Sequence, residues 1–219
     1  MEGCLVAKVS LAGFAIILMT AAGAMAAAVV PDGGGDTGTV IRPAPAPFTH
    51  KGRLAVIFAN FATRYPKGLY SSVQATPLGG PDSFLGEQFM AAAFVPGTDA
   101  TVQEIEFAGG FTGGASNLVR VHLYADAAGL PGQELWARNV ALPALAGCCA
   151  VVALADKSAT PVMAGVQYWI GVTARADTTA AWNFNVLDQV DPALMAVDRG
   201  MGWEASSSAP ALAFGIYGQ

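Results

Sequence analysis

Two stretches decide the fold: Leu118-Val-Arg-Val-His-Leu-Tyr-Ala125 and Val166-Gln-Tyr-Trp-Ile-Gly-Val-Thr-Ala174. In an extended strand successive side chains point to opposite faces, so apolar residues at every second position mark one buried side. Val119, Val121 and Leu123 therefore share one face of the first strand, and Arg120, His122 and Tyr124 share the other. In the second, Val166, Tyr168, Ile170 and Val172 form the apolar row and leave Gln167, Trp169 and Thr173 opposite. Strands with one wet side belong to antiparallel sheets packed face to face, not to a parallel sheet covered on both sides by helices.

Seven further runs have the same character: Leu54-Asn60, Gln88-Val95, Thr101-Ala108, Glu134-Val140, Cys149-Leu154, Ala181-Leu187 and Ala211-Tyr217. Gly/Pro/Asp punctuation separates them at Pro96-Gly97, Gly109-Gly110, Gly113-Gly114, Gly129-Leu-Pro-Gly132, Ala164-Gly165 and Asp198-Arg-Gly200, the composition of hairpin and Greek-key turns. No stretch after Met25 keeps a helical period across three turns, so the crossover helices of an α/β fold are missing. The expectation is an all-β antiparallel sandwich, jelly-roll-like, of about nine strands over 53–219.

Composition narrows the function classes. The 219 residues are 53% apolar and 12% charged, with 26 Gly and 13 Pro, which suits one core built from short strands and many turns. A net charge of -5 and scattered basic residues leave no footprint for a polyanion, so nucleic acid is not expected as a partner. At the N-terminus, Lys8, the apolar run Leu11-Met19 and small residues up to Ala24-Met25-Ala26 follow the order of a cleavable signal peptide over 1–26. The competing reading is an uncleaved anchor, since no charge lies between Lys8 and Asp32. After cleavage no membrane partner is expected. Residues 27–52 carry Pro31-Asp-Gly-Gly-Gly35 and Arg42-Pro-Ala-Pro-Ala-Pro47, and read as a disordered spacer.

Few residues offer chemistry. The chain has two histidines, His50 in the spacer and His122 on a strand, and no Gly-x-Ser-x-Gly elbow, His-Glu-x-x-His helix or phosphate loop. His122 with Arg120 and Tyr124 makes a small polar row, readable as a binding row or as an ordinary solvated strand face. Glu104 and Glu106 recur at strand spacing on one face. A glycosidase needs two carboxylates on opposite sides of the bond, and neighbours on a strand do not provide that. Asp126, Asp177, Asp188, Asp191 and Asp198 fall in loops, where they either shape turns or supply oxygens to a structural Ca²⁺. Turn formation is the expected role, and no cofactor is expected.

Cys148 and Cys149 are adjacent, and after export they close a vicinal disulfide, pair with another chain or remain thiols; an ordinary core-stapling bridge within one monomer is excluded. Four tryptophans, Trp136, Trp169, Trp182 and Trp203, raise the prospect of a sugar-stacking platform. Trp169 is the leading candidate because alternation turns it away from Tyr168.

The segments Leu123-Tyr-Ala-Asp-Ala-Ala-Gly-Leu-Pro-Gly-Gln-Glu-Leu135, Met163-Ala-Gly-Val-Gln-Tyr-Trp-Ile170, Ala181-Trp182, Asp198-Arg-Gly-Met-Gly-Trp203 and Pro210-Ala-Leu-Ala-Phe214 resemble the exported bacterial choice-of-anchor domain proteins of the PEP-CTERM-associated type. The resemblance implies a jelly-roll-like sandwich at the cell surface, in a matrix or outside, with no catalytic residues to carry over. Phe214-Gly-Ile-Tyr-Gly-Gln219 lacks that family's Pro-Glu-Pro motif, hydrophobic tail and basic cluster, so release or periplasmic residence is expected over sorted anchoring. The functional expectation is a non-catalytic secreted module that binds or contributes to extracellular or surface material, above all polysaccharide, through Trp169, Arg120, His122 and Tyr124. The alternatives are an envelope-glycan hydrolase using paired carboxylates and a purely structural packing module of a surface layer or matrix.

Overall fold

The computed structural model describes residues 39–43, 54–61, 69–145, 150–186, 195–206 and 211–219. These form fourteen strands and no helix. A five-stranded sheet holds β1 (Thr39–Pro43), β9 (Ala150–Val162), β5 (Ala100–Phe107), β14 (Phe214–Gly218) and β2 (Ala55–Ala59), in that spatial order. A six-stranded sheet runs β13 (Trp203–Ser206), β12 (Met195–Asp198), β4 (Phe89–Phe94), β10 (Tyr168–Ala174), β7 (Leu118–Asp126) and β8 (Pro131–Ala141). Three short strands, β3 (Ala75–Gly79), β11 (Thr179–Asn183) and β6 (Gly109–Gly113), make a third sheet. All paired strands are antiparallel. Spatial neighbours such as β5, β9 and β14 are far apart in sequence, so the chain crosses repeatedly between layers, as a jelly-roll sandwich requires.

The alternating rows meet in one core that draws side chains from all three sheets, including Leu78, Ile105, Leu123, Ile170, Trp182 and Phe214, each essentially without solvent exposure. Val119, Val121 and Leu123 point inward as expected, as do Tyr168, Ile170 and Val172. Val166 does not: it precedes β10 and is 37% exposed, because the turn closed by Gly165 at φ +73° places it outside the ladder.

All nine expected strands are present, and five more accompany them. Gly109-Gly110 and Gly113 were expected as turn punctuation but lie within β6. There the glycines serve close approach: a Cβ on Gly109 would meet the Phe107 ring at 2.7 Å and the Ala181 carbonyl at 2.9 Å, and one on Gly110 would meet Leu145 at 2.7 Å. β3 contains Pro77 and has no clean alternation, which hides it from sequence reading. Inside the segment expected to be a spacer, Thr39-Val-Ile-Arg-Pro43 pairs with Ala150–Leu154 of β9. Val40 and Ile41 are β-branched, and their strand preference is lost when composition is averaged over a Gly/Pro-rich stretch. The signal peptide, His50, Cys148, Cys149, Asp188 and Asp191 lie outside the described residues.

Candidate functional site

The outer face of the six-stranded sheet collects every residue singled out for binding. Register places Trp169 beside Tyr124, Gly171 beside His122 and Thr173 beside Arg120 across β10 and β7, and Tyr124 beside Glu134 across β7 and β8. The floor next to them is small: Ala91 and Ala93 of β4 and Ala196 of β12. Small floor residues leave room for rings to lie down on the sheet. Gly171 does so most sharply, since a Cβ there would stand 2.7 Å from the Tyr124 ring.

The expectation of an exposed Trp169 is corrected. Its side chain does lie on the face opposite Tyr168, yet it is wholly buried. It packs with Ala91, Ala93, Ala196 and Tyr124, and Leu130 and Trp203 close over this small second core. Its indole N–H donates to Asp126 Oδ1 at 2.8 Å, the same oxygen that accepts from Gln167 Nε2 at 2.7 Å. Asp126 Oδ2 accepts from the backbone N–H of Gly129 at 3.0 Å, inside the turn Ala127–Leu130. Burial acts to raise the Asp126 pKa, but the bonds from Gly129, Trp169 and Gln167 outweigh it and hold the carboxyl below its ordinary value. One aspartate thus ties the Gly-Leu-Pro-Gly turn to the Tyr-Trp strand.

His122 and Tyr124 are also largely buried, with their rings stacked at 5.1 Å and 11° apart. His122 Nδ1 lies 2.8 Å from Glu134 Oε2, and its Nε2 lies 2.9 Å from the Thr173 hydroxyl. Arg120 reaches the other Glu134 oxygen at 3.1 Å, leaving both side chains more than a third exposed. Burial lowers the His122 pKa despite the neighbouring carboxylate, so the imidazole is neutral at neutral pH. It then donates from Nδ1 to Glu134 and accepts the Thr173 O–H at Nε2. Burial also raises the Tyr124 pKa, keeping its phenol protonated. For Glu134 burial acts upward, and the His122 hydrogen bond with the Arg120 charge pulls the net value below the ordinary one.

The hydroxyl, imidazole and carboxylate have the connectivity of a nucleophile, base and orienting acid. A working acyl-transfer site also needs two N–H donors converging where an oxyanion develops. Thr173 sits within the ladder opposite Arg120, and its hydroxyl is already engaged with the His122 ring. The other proposed carboxylate pair is split by burial: Glu106 has no solvent exposure, whereas Glu104 is only half-buried.

Like Phe89 of β4, Trp203 keeps partial solvent exposure on this face. It opens β13, opposite Asp198 of β12, and meets Tyr124 edge-on with ring centres 6.0 Å apart. Asp198 Oδ1 accepts from the N–H groups of Gly200 and Gly202, whose φ of +83° and +99° suit glycine, and so shapes the turn that delivers Trp203. The other two tryptophans serve the core: Trp182 is buried and donates to the Ala213 carbonyl at 3.0 Å, and Trp136 is partly buried against it.

Among the described residues the loop aspartates Asp126, Asp177 and Asp198 act as turn acceptors. Asp177 takes the N–H groups of Ala115 and Ser116 at 2.7 and 3.0 Å, which lowers its pKa. Among the described residues no group of three or more His, Cys, Asp or Glu side chains could hold a metal ion. Sequence reading missed Glu134 as the partner of His122 and Asp126 as the partner of Trp169. Both lie where the β7–β8 hairpin folds back, and its Gly129-Leu-Pro-Gly132 turn was the available signal.

No family model and no curated protein matches the chain. Among solved structures, the cysteine protease and lectin-like domains of Cwp84, a surface-layer-associated protein of Clostridium difficile, are similar at a TM-score of 0.42 and 10% identity, covering 59% of this chain and 31% of that one. Likeness at that level carries no argument about function. Among the described residues no helix is long and apolar enough to cross a membrane.

Proposed function

We propose that the chain is a non-catalytic, exported β-sandwich module that binds extracellular or cell-surface polysaccharide along the outer face of its six-stranded sheet. The observation that carries this reading is the partly exposed Trp203, braced edge-on by buried Tyr124, with the Arg120–Glu134 pair on the same face. A ring held by packing loses little freedom on contact, and a neighbouring ion pair supplies donors and acceptors to hydroxyl groups. The role first given to Trp169 passes to Trp203, because a wholly buried indole cannot stack on a ligand. The reading as non-catalytic rests on the place of Thr173 within the strand ladder and the burial of Glu106. Export and surface residence follow from the signal-like N-terminus and the choice-of-anchor resemblance.

Polysaccharide pull-down and glycan-array binding of the purified chain test the reading. Binding that falls at least tenfold in Trp203→Ala and several-fold in Arg120→Ala is expected. Failure of the native chain to bind any extracellular polysaccharide overturns it, and self-association in its place would favour the packing-module alternative.

A further inference from the structure

The basic residues are scattered along the sequence, yet the strand register gathers two of them at one end of the outer face of the six-stranded sheet. Arg120 of β7 stands opposite Thr173 of β10 on one side and Asn139 of β8 on the other. Ala174 ends β10 with its side chain in the core, so Arg175, the next residue, projects outward. Its backbone N–H extends the ladder to the Leu118 carbonyl at 3.1 Å, and its Nη1 reaches Asn139 Oδ1 at 3.5 Å. Asn139 is the cross-strand neighbour of Arg120, so the two guanidinium groups share one corner of the face. The carboxylate beside them, Glu134, already holds the His122 ring.

Both guanidinium groups are loosely held. The Arg120–Glu134 contact at 3.1 Å joins side chains that are 37% and 41% exposed, and exposed pairs of this kind are weak. Glu134 is not stranded when Arg120 turns to another anion, because its Oε2 keeps the bond to His122 Nδ1 at 2.8 Å. Arg175 is exposed, and its bond to Asn139 lies at the long limit for a hydrogen bond. A guanidinium carries five N–H donors in a flat fork that matches the two oxygens of a carboxylate, and a single bond to a neighbour leaves most of them for a ligand. Like charges at neighbouring strand positions repel, and an anion between them relieves the repulsion.

We propose that the ligand of this face is an acidic polysaccharide, one of whose uronic carboxylates docks between Arg120 and Arg175 while another ring of the same chain lies on Trp203. The inference rests on the reading of this face as a polysaccharide site and names the class of its ligand. Arg120 and Tyr124 lie four residues apart on β7, about 13 Å at the rise of an extended strand, and Trp203 meets the Tyr124 ring. That length exceeds one sugar ring, so the ligand is an oligomer lying along β7. A neutral polysaccharide would use Trp203 but offer the two guanidinium groups only hydroxyls, which are weaker partners than a carboxylate. The net charge of -5 does not oppose docking, since exposed charges farther than about 8–10 Å are largely screened at physiological ionic strength.

The test is titration calorimetry of the full chain with oligomers of polygalacturonate and polymannuronate, their methyl esters as uncharged counterparts, and the variants Arg120→Gln, Arg175→Gln and Trp203→Ala. Binding of an acid at least tenfold tighter than its ester is expected, with the preference shrinking as salt is raised. Arg175→Gln should reduce that preference at least fivefold, and Trp203→Ala should weaken acid and ester alike. Equal binding of acid and ester by the native chain, or a preference that survives in both arginine variants, overturns this inference and leaves the sheet-face reading standing. Absence of binding to acids and esters alike also overturns it, and the glycan array then decides whether polysaccharide binding as such survives.

Discussion

The outer faces of the six-stranded and three-stranded sheets solve the same problem in opposite ways. Both carry polar side chains on strands whose other side is buried. On the six-stranded sheet, Asp126 takes three donors and His122 has a partner at each ring nitrogen. Nearly every group there is paired, and the rings lie on a floor of Ala and Gly. On the three-stranded sheet a cavity stays open, and Thr179 and Asn183 keep unpaired oxygens. A satisfied network stabilises the fold, whereas an unsatisfied one gives up part of that stability.

The sharpest way to break this contrast is Trp169→Ala. It should cost about 3–5 kcal/mol, read as a lower urea midpoint, because the indole is wholly buried and its removal leaves a cavity in the second core. Next is Asp126→Ala, which strands the Trp169 and Gln167 donors together with the Gly129 N–H. A loss of about 2–3 kcal/mol is expected, and Asp126→Asn should lose less because it retains an acceptor.

The pH dependence of stability sharpens the comparison further. His122 has a folded pKa below its ordinary 6.5, so the unfolded chain takes up its proton first as pH falls. Its contribution is complete above pH 6.5 and is lost as pH drops below that value through the folded pKa. Glu134 and Asp126 are likewise depressed from 4.5 and 3.8, and add a second loss at lower pH. His122→Gln should flatten the upper window alone in urea titrations run across pH. The smallest effect belongs to the other sheet. Thr179→Val removes an unpaired buried hydroxyl and should raise stability by about 1 kcal/mol, seen as a modest rise in Tm.

Much of the fold was legible because alternation is a local property. The inward rows of β7 and β10 could be assigned from two short stretches, and all nine expected strands recur. The missed elements share a cause. In β6 glycine carries no side chain to show a pattern, and its reason for being there, the approach of Phe107, Ala181 and Leu145, is tertiary. The candidate site was half legible. Arg120, His122, Tyr124 and Trp169 do come together on one face, but the partners that decide their states, Glu134 and Asp126, arrive through the β7–β8 hairpin.

The sequence by itself determined the class of the fold, the faces of its two clearest strands and the identity of the residues on the polar face. A period of two in side-chain direction requires no knowledge of what lies beyond the sheet. Only the tertiary structure decided which of those residues meet water. Trp169 is buried because alanines of β4 and β12 give it a bed and Trp203 of β13 helps close over it, and the cavity over β11 exists because Phe84 and Val73 stand beside the strand without filling it. Exposure is set by neighbours brought from distant segments, and no local pattern encodes them.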